Sequence, residues 1–206
     1  MKRTFLAAIC TLIALSAYGQ TQTTASGVSP CTLNLAQSPA VRGVKLGMNV
    51  DDLLQLFPAS TAIRSSIATA DGYPHFGSVE VFINPSEYST RDRFMGIQDF
   101  RLVLLDGRVT RYQVEYQQFP FGPTWRKVSD FVTRLAESFK LPSATNWDED
   151  QNTPSQRRLR CDGFQIVASN LNLQGQLTVS TLEPAYKKVQ ERQAALDEKL
   201  RSEFRP

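Results

Sequence analysis

Histidine and cysteine are scarce in this chain. Its 206 residues include one histidine, His75, and three cysteines. These numbers exclude most metal and redox sites, which need several imidazole or thiolate groups. A glycine-rich phosphate loop and a Gly-x-Ser-x-Gly motif are also missing. We therefore expect no catalytic residue, no metal and no cofactor.

An excess of charge of one sign is lacking as well. The chain has 23 Lys and Arg against 20 Asp and Glu, a net charge of +3. Lys2 and Arg3 belong to a segment that we expect to be removed, which leaves a net charge of +1. So weak a field attracts neither nucleic acid nor an anionic membrane surface, and neither is expected as a partner. The hydrophobic content of 41% is enough for an ordinary globular core.

One long apolar run occurs, near the N-terminus. It covers residues 4–17 almost without interruption, follows Lys2 and Arg3, and leads to Ala17 and Gly19. A basic start, a short apolar run and small residues before a cleavage point are typical of a secretory signal peptide. We predict a signal peptide over residues 1–19 and a periplasmic or secreted mature chain without a stable membrane anchor. An uncleaved anchor is the alternative, although the run is short for a membrane span.

Export gives a role to the remaining cysteines. Cys10 lies inside the apolar run, so removal of the signal peptide leaves Cys31 and Cys161, which are 130 residues apart. Two thiols in an oxidising compartment usually pair. A Cys31–Cys161 disulfide would hold a flexible N-terminal arm, residues 20–40, on the folded domain. Two separate thiols are the alternative.

Local patterns predict three helices. Asn49 is a favourable N-cap, Asp51 and Asp52 place negative charge in the first turn, and Pro58 ends this first helix. Apolar residues recur at helical spacing from residue 124 to about 139, which predicts a second helix. A third, highly charged helix is predicted to begin at residues 183–184 and to reach about residue 204.

Two Asp-Gly pairs indicate β-hairpins. Residues 99–105 and 108–117 flank Asp106-Gly107, and residues 157–161 and 164–170 flank Asp162-Gly163. The Asp-Gly pair suits the positive φ angles of tight hairpin turns. Further strands are predicted at residues 78–83 and 176–182, and residues 61–69 are moderately strand-like. Because strands follow one another without helices between them, we expect an α+β fold: an antiparallel sheet with helices packed on one face.

The order of these elements suggests two tandem modules. A helix followed by an Asp-Gly hairpin occurs twice, and the helix starts at Asn49 and Thr124 are 75 residues apart. We predict a first α+β module over residues 41–123, a second over residues 124–182 and a C-terminal helix over residues 183–206. Residue identity between the halves is slight, so a true duplication is a hypothesis.

Residues 43–48, Gly-Val-Lys-Leu-Gly-Met, and the amphipathic helix after them resemble the opening of a known module. It occurs in outer-membrane-assembly lipoproteins of the SmpA/OmlA type, and the β-lactamase-inhibitor-protein fold is similar, with two such modules. The resemblance covers about residues 42–58 and implies helices on one face of an antiparallel sheet in a cell-envelope protein. The anchoring cysteine of those lipoproteins is missing, and the second half lacks Leu-Gly-Met before its helix.

These observations favour an exported, non-catalytic protein that binds another protein of the cell envelope. We predict its contact surface on a sheet face or on loop 84–96, where aromatic and arginine side chains suit a protein interface. The candidate binding residues of the loop are Tyr88, Arg91, Arg93 and Phe94. The sequence indicates neither the partner nor the oligomeric state.

Two other functions are open at this point. A periplasmic small-molecule-binding protein would need a pocket between sheet and helices. The aromatic residues expected to line it are Tyr73, Phe76, Tyr112, Tyr116 and Trp125. A hydrolase, which the sequence favours least, would need carboxylates gathered around His75, in a segment rich in glycine, proline and aromatic residues.

Overall fold

A computed structural model describes residues 31–57, 61, 64–65, 76–83, 94–118, 120–149 and 152–205. The signal peptide predicted over residues 1–19 and the arm before Cys31 lie outside them. The α-helices described over their full length are α1 (Val50–Leu56), α2 (Val128–Phe139) and α3 (Ala185–Glu203), and short 3-10 helices span Leu35–Gln37 and Ala144–Asn146. Its strands are β1 (Ser78–Ile83), β2 (Ile97–Leu105), β3 (Arg108–Tyr116), β4 (Asp148–Glu149), β5 (Gln156–Arg160), β6 (Phe164–Leu171) and β7 (Gln174–Thr181).

The described strands form one antiparallel sheet in the order β1-β2-β3-β7-β6-β5-β4. Strands β1 to β3 come from the first half of the chain and β4 to β7 from the second. The halves join where β3 pairs with β7, with Tyr112 opposite Val179 and Val114 opposite Leu177. The predicted α+β fold is confirmed. The two predicted modules share a continuous sheet, and their duplication stays a hypothesis.

The first hairpin and α1 follow the sequence closely. Asp106 and Gly107 form the turn with φ angles of 51° and 70°. The Asn49 side chain caps α1 by accepting a hydrogen bond from the Asp52 N–H at 2.8 Å. The Val50 N–H in turn donates to the Gly107 carbonyl at 3.1 Å. The predicted cap and the predicted turn therefore contact each other, and the start of α1 is attached to the tip of the hairpin.

The second half contains one predicted hairpin and one that the sequence does not indicate. Strands β5 and β6 are joined through Asp162-Gly163, as predicted. Strands β6 and β7 are joined by Asn172 and Leu173, whose φ angles are 51° and 66°. A leucine rarely adopts this left-handed conformation. Hydrogen bonds from the Trp125 N–H to the Leu173 carbonyl, and from the Gln118 amide to the Asn172 carbonyl, hold the turn in place.

One predicted helix start and one predicted element type were wrong. Helix α2 begins at Val128, not at Thr124. The reason is tertiary: the Trp125 N–H is bonded to Leu173 across the chain, so residues 124–127 approach the helix in a non-helical conformation. In the moderately strand-like stretch 61–69, the described residues Thr61, Arg64 and Ser65 are helical.

The core lies on one face of the sheet. The alternating apolar residues of β1, β2, β3, β6 and β7 point to this face and pack with α1 and α2. Gly175 of β7 lies directly under α2, where a Cβ atom would be 2.7 Å from the Phe131 ring. Since any side chain at 175 would collide with the ring, glycine is required there for helix and sheet to pack this closely. The fully buried members are Val44, Leu53, Val81, Ile83, Phe100, Leu102, Tyr112, Val114, Val132, Phe164, Ile166, Ala168, Leu177 and Val179.

Helix α3 lies on the opposite, polar face, beside β1 and β2. Its attachment is a clamp at Arg192, whose guanidinium donates to both carboxylate oxygens of Asp106 at 2.8 Å and to the Phe76 carbonyl at 2.6 Å. This ion pair lowers the pKa of Asp106 and raises that of Arg192. Ala185 is the only buried residue of α3, and residues 190–205 are exposed.

The predicted disulfide is confirmed. Cys31 and Cys161 are joined with an S–S distance of 2.03 Å. Close by, the Asp162 N–H donates to the Leu33 carbonyl at 3.0 Å, and the buried Tyr112 hydroxyl donates to the Pro39 carbonyl at 2.6 Å. The described part of the predicted flexible arm, residues 31–40, is therefore fixed to the domain by one covalent bond and two hydrogen bonds.

Candidate functional site

The polar face of the sheet forms an open groove. Its floor consists of side chains from β1, β2, β3, β7, β6 and β5, and the first half of α3 forms one wall. The groove has a volume of about 870 Å³. The floor residues are Ser78, Glu80, Val103, Thr110, Arg111, Gln113, Gln156, Arg158, Gln165, Val167, Ser169, Gln176, Thr178 and Ser180, and Tyr186, Val189 and Gln193 belong to the wall.

Hydrogen bonds between strands hold the floor side chains in place. The Gln176 amide donates to Glu115 at 2.9 Å, joining β7 to β3, and accepts from the Ser169 hydroxyl at 3.4 Å, joining β7 to β6. The Gln165 amide donates to the Ser180 hydroxyl at 3.3 Å. Because these amides are already oriented, a ligand lying on them would order few further side chains, and ordering is a large part of what binding costs.

Arg158 is the exception on this floor. Its Nε is buried and has no hydrogen-bond partner among the described residues. The neighbouring Arg157 differs, since it forms an ion pair with Glu149 at 2.9 Å and donates to two backbone carbonyls. A buried donor without an acceptor costs roughly 1–3 kcal/mol. An acceptor brought into the groove by a partner would recover that free energy.

A second concavity lies where α2 meets residues 40–42, 95–97 and 121–125. It is mainly apolar and has a volume of about 550 Å³. Three aromatic rings meet there: Phe131 of α2 lies 5.2 Å from Trp125 and 5.7 Å from Tyr116, centroid to centroid. Burial raises the pKa of Tyr116 to about 12, so its hydroxyl stays protonated at neutral pH. The Trp125 Nε1 is buried and has no partner among the described residues.

Of the residues predicted for binding, the structure describes Phe94. Tyr88, Arg91 and Arg93 lie outside the described residues. Phe94 is 2% exposed and stacks on Phe57 with a centroid distance of 5.6 Å. The predicted role of Phe94 in binding therefore needs correction, because a ring buried this deeply supplies core packing and no contact surface.

Of the five aromatic residues expected to line one pocket, the four that the structure describes do not come together. Tyr116 and Trp125 line the apolar pocket, Phe76 lies at the polar groove, and Tyr112 is fully buried in the core. Tyr73 lies outside the described residues, as does His75.

Arg158 is a groove residue that the sequence reasoning missed. The available signal was strand alternation, because Arg157 and Arg158 must point to opposite faces of β5.

Two further observations concern the described residues alone. They contain no group of three or more His, Cys, Asp or Glu side chains arranged to hold a metal ion. None of their helices is long and apolar enough to cross a bilayer.

Comparison with known proteins gives no match. No family model matches it, and neither a curated protein nor a solved structure is significantly similar.

Proposed function

We propose that this chain is an exported, non-catalytic protein of the periplasm or the secreted fraction. We propose further that it binds another envelope protein through the polar face of its sheet. The disulfide and the predicted signal peptide support the location, since disulfides persist in oxidising compartments. The observation that carries the binding proposal is Arg158, whose Nε is buried in the groove and finds no acceptor in the part of the chain that the structure describes.

The shape and chemistry of the groove favour a protein as the ligand. The groove is open and crosses six strands, so it suits a projecting loop or helix better than an enclosed small molecule. Apolar side chains, Val167 of the floor and Tyr186 and Val189 of the wall, alternate with the fixed amides. Such a mixture of apolar contact and oriented hydrogen-bonding groups is typical of protein interfaces.

Site-specific photo-crosslinking tests this proposal in cells that export the full chain. A photoreactive phenylalanine analogue would replace Thr178 on the groove floor or, as the control, the exposed Ser129 on α2. We expect a discrete crosslinked protein from position 178 and none from position 129. Equal crosslinking at both positions, or none at position 178, would contradict the proposal.

A charge reversal tests the role of Arg158. Arg158→Glu should lower the crosslinking yield at position 178 by about tenfold, since a charge-assisted hydrogen bond is replaced by repulsion. Arg160→Glu is the matched control, because Arg160 lies two residues along the same strand and is exposed outside the groove. A similar loss in both variants would indicate that general charge, and not the groove arginine, attracts the partner.

A further inference from the structure

The apolar pocket beneath α2 is a site separate from the polar groove. It lies between α2 and residues 40–42, 95–97 and 121–125, and it shares no lining residue with the groove. Its volume of about 550 Å³ falls within the range of small-molecule sites. Tyr116, Trp125, Phe131 and Leu135 supply most of a rigid apolar wall.

The charged side chains that line this pocket are cationic. Arg42 and Arg134 line it, and no Asp or Glu does so among the described residues. Arg42 donates to the Met95 carbonyl at 2.6 Å and has no carboxylate within ion-pair distance in the described part of the chain. Arg134 pairs with Glu137, in an exposed contact that is worth little. A cation next to an apolar wall favours a ligand that is apolar at one end and anionic at the other.

Hydrogen-bonding groups in the pocket also call for an acceptor. Among the described residues the buried Trp125 Nε1 has no acceptor, and an indole N–H can only donate. Burial raises the pKa of Tyr116 to about 12, and the charge of Arg42 acts in the opposite direction. A carboxylate that enters beside the indole would satisfy both the N–H, once the ring turns to meet it, and the arginine charge.

We propose that this pocket binds a small organic carboxylate with an apolar body. The apolar part packs on Tyr116, Trp125 and Phe131, and the carboxylate accepts from the Trp125 Nε1 and faces Arg42. This binding is independent of the protein partner proposed for the sheet face, because the two sites lie on different faces of the sheet.

The test uses the full mature chain with its disulfide intact and a neutral fluorescent probe, N-phenyl-1-naphthylamine, as reporter. Decanoate, decanol and decylammonium compete for the pocket at concentrations below those at which they form micelles. We expect decanoate to displace the probe at about tenfold lower concentration than decanol, as one charge-assisted hydrogen bond implies, and decylammonium to be weakest. Absence of probe binding, or equal displacement by decanoate and decanol, would overturn the proposal.

Variants then assign the effect to the pocket. Trp125→Phe retains a ring but removes the N–H, and Arg42→Gln removes the charge. Each should reduce the preference for decanoate over decanol while decanol binds as before. The control is Arg126→Gln, because Arg126 is exposed and lies outside the pocket.

A pocket-filling variant distinguishes loss of probe binding from misfolding of the protein. Ser138→Trp places a large ring at the exposed mouth of the pocket without altering the core. It should abolish probe binding while the thermal unfolding midpoint stays within a few degrees of the original. Unchanged probe binding in this variant would show that the probe binds elsewhere and would overturn the proposal.

Discussion

The two faces of the sheet use the same strands for different purposes. On β7, Leu177 is fully buried under α2, whereas its neighbour Thr178 points into the groove. One face is a continuous apolar core that includes both halves of the chain. The other has polar side chains held by cross-strand hydrogen bonds, with α3 along one side. The comparison teaches that the core face carries the stability of the fold. If the polar face binds the proposed protein partner, stability and partner binding should respond separately to mutation.

The largest expected effect on stability comes from removal of the disulfide, which belongs to the core side of the molecule. Replacing Cys31 and Cys161 together by serine should lower the free energy of unfolding by about 4 kcal/mol, because the bridge closes a 130-residue loop. Urea unfolding of the oxidised protein and of the double variant measures this difference. Reduction of the original protein is the control and should give the same result.

The same double serine variant tests whether partner binding at the polar face is independent of the disulfide. At temperatures where the double serine variant is folded, crosslinking at position 178 should be unchanged, since the described part of the arm, residues 31–40, lines neither floor nor wall of the groove. Loss of crosslinking in a folded variant would contradict the separation of the two faces.

A matched pair of substitutions on β7 sharpens the comparison directly. Leu177→Ala should destabilise the protein by about 3 kcal/mol, because it removes a fully buried side chain from the core. Thr178→Ala, one residue further along, should change stability by less than about 0.5 kcal/mol. Urea unfolding with the disulfide intact measures both. Similar effects at the two positions would mean that the groove face also carries the fold.

The smallest effect on the fold is expected from loss of the Arg192–Asp106 ion pair that attaches α3. Arg192→Gln removes both bonds to the Asp106 carboxylate and should increase amide hydrogen exchange across residues 185–203 while the sheet remains protected. Lys199→Gln, which alters an exposed contact within α3, is the control. Exchange measured peptide by peptide gives the result, and faster exchange throughout the sheet would contradict a purely local role.

The same clamp should depend on pH. The Arg192 guanidinium lowers the pKa of Asp106 below its ordinary value of about 3.9. The contribution of the ion pair is therefore complete above that ordinary pKa and is lost as the pH falls through the lowered one. Attachment of α3 should be constant from pH 7 to about pH 5 and should weaken below pH 4. The Arg192→Gln variant should lack this acid transition.

Features encoded by neighbouring residues were predictable. The Asn49 cap, the two Asp-Gly turns and the start of the charged C-terminal helix each depend on a few adjacent side chains. The Cys31–Cys161 pairing was also predictable, because removal of the predicted signal peptide would leave these two cysteines as partners for each other.

Features that depend on contacts between distant residues were not predictable from the sequence. The Asn172-Leu173 turn requires bonds from Gln118 and Trp125, and the same Trp125 bond delays the start of α2. Phe94 belongs to an aromatic-rich loop in the sequence, but in the fold it stacks on Phe57. Neither groove nor pocket is a local property, since each gathers residues from several separate segments.

The sequence by itself determined the element types, most of the strand positions, the polar and apolar alternation, and the disulfide. These follow from backbone preferences, side-chain periodicity and compartment chemistry, all of which act over short stretches or depend on composition. Only the tertiary structure decided that β3 pairs with β7, that α3 lies on the polar face and that the Arg158 Nε is buried without an acceptor among the described residues. Those outcomes depend on which surfaces fit together across the whole chain, and no local pattern records that fit.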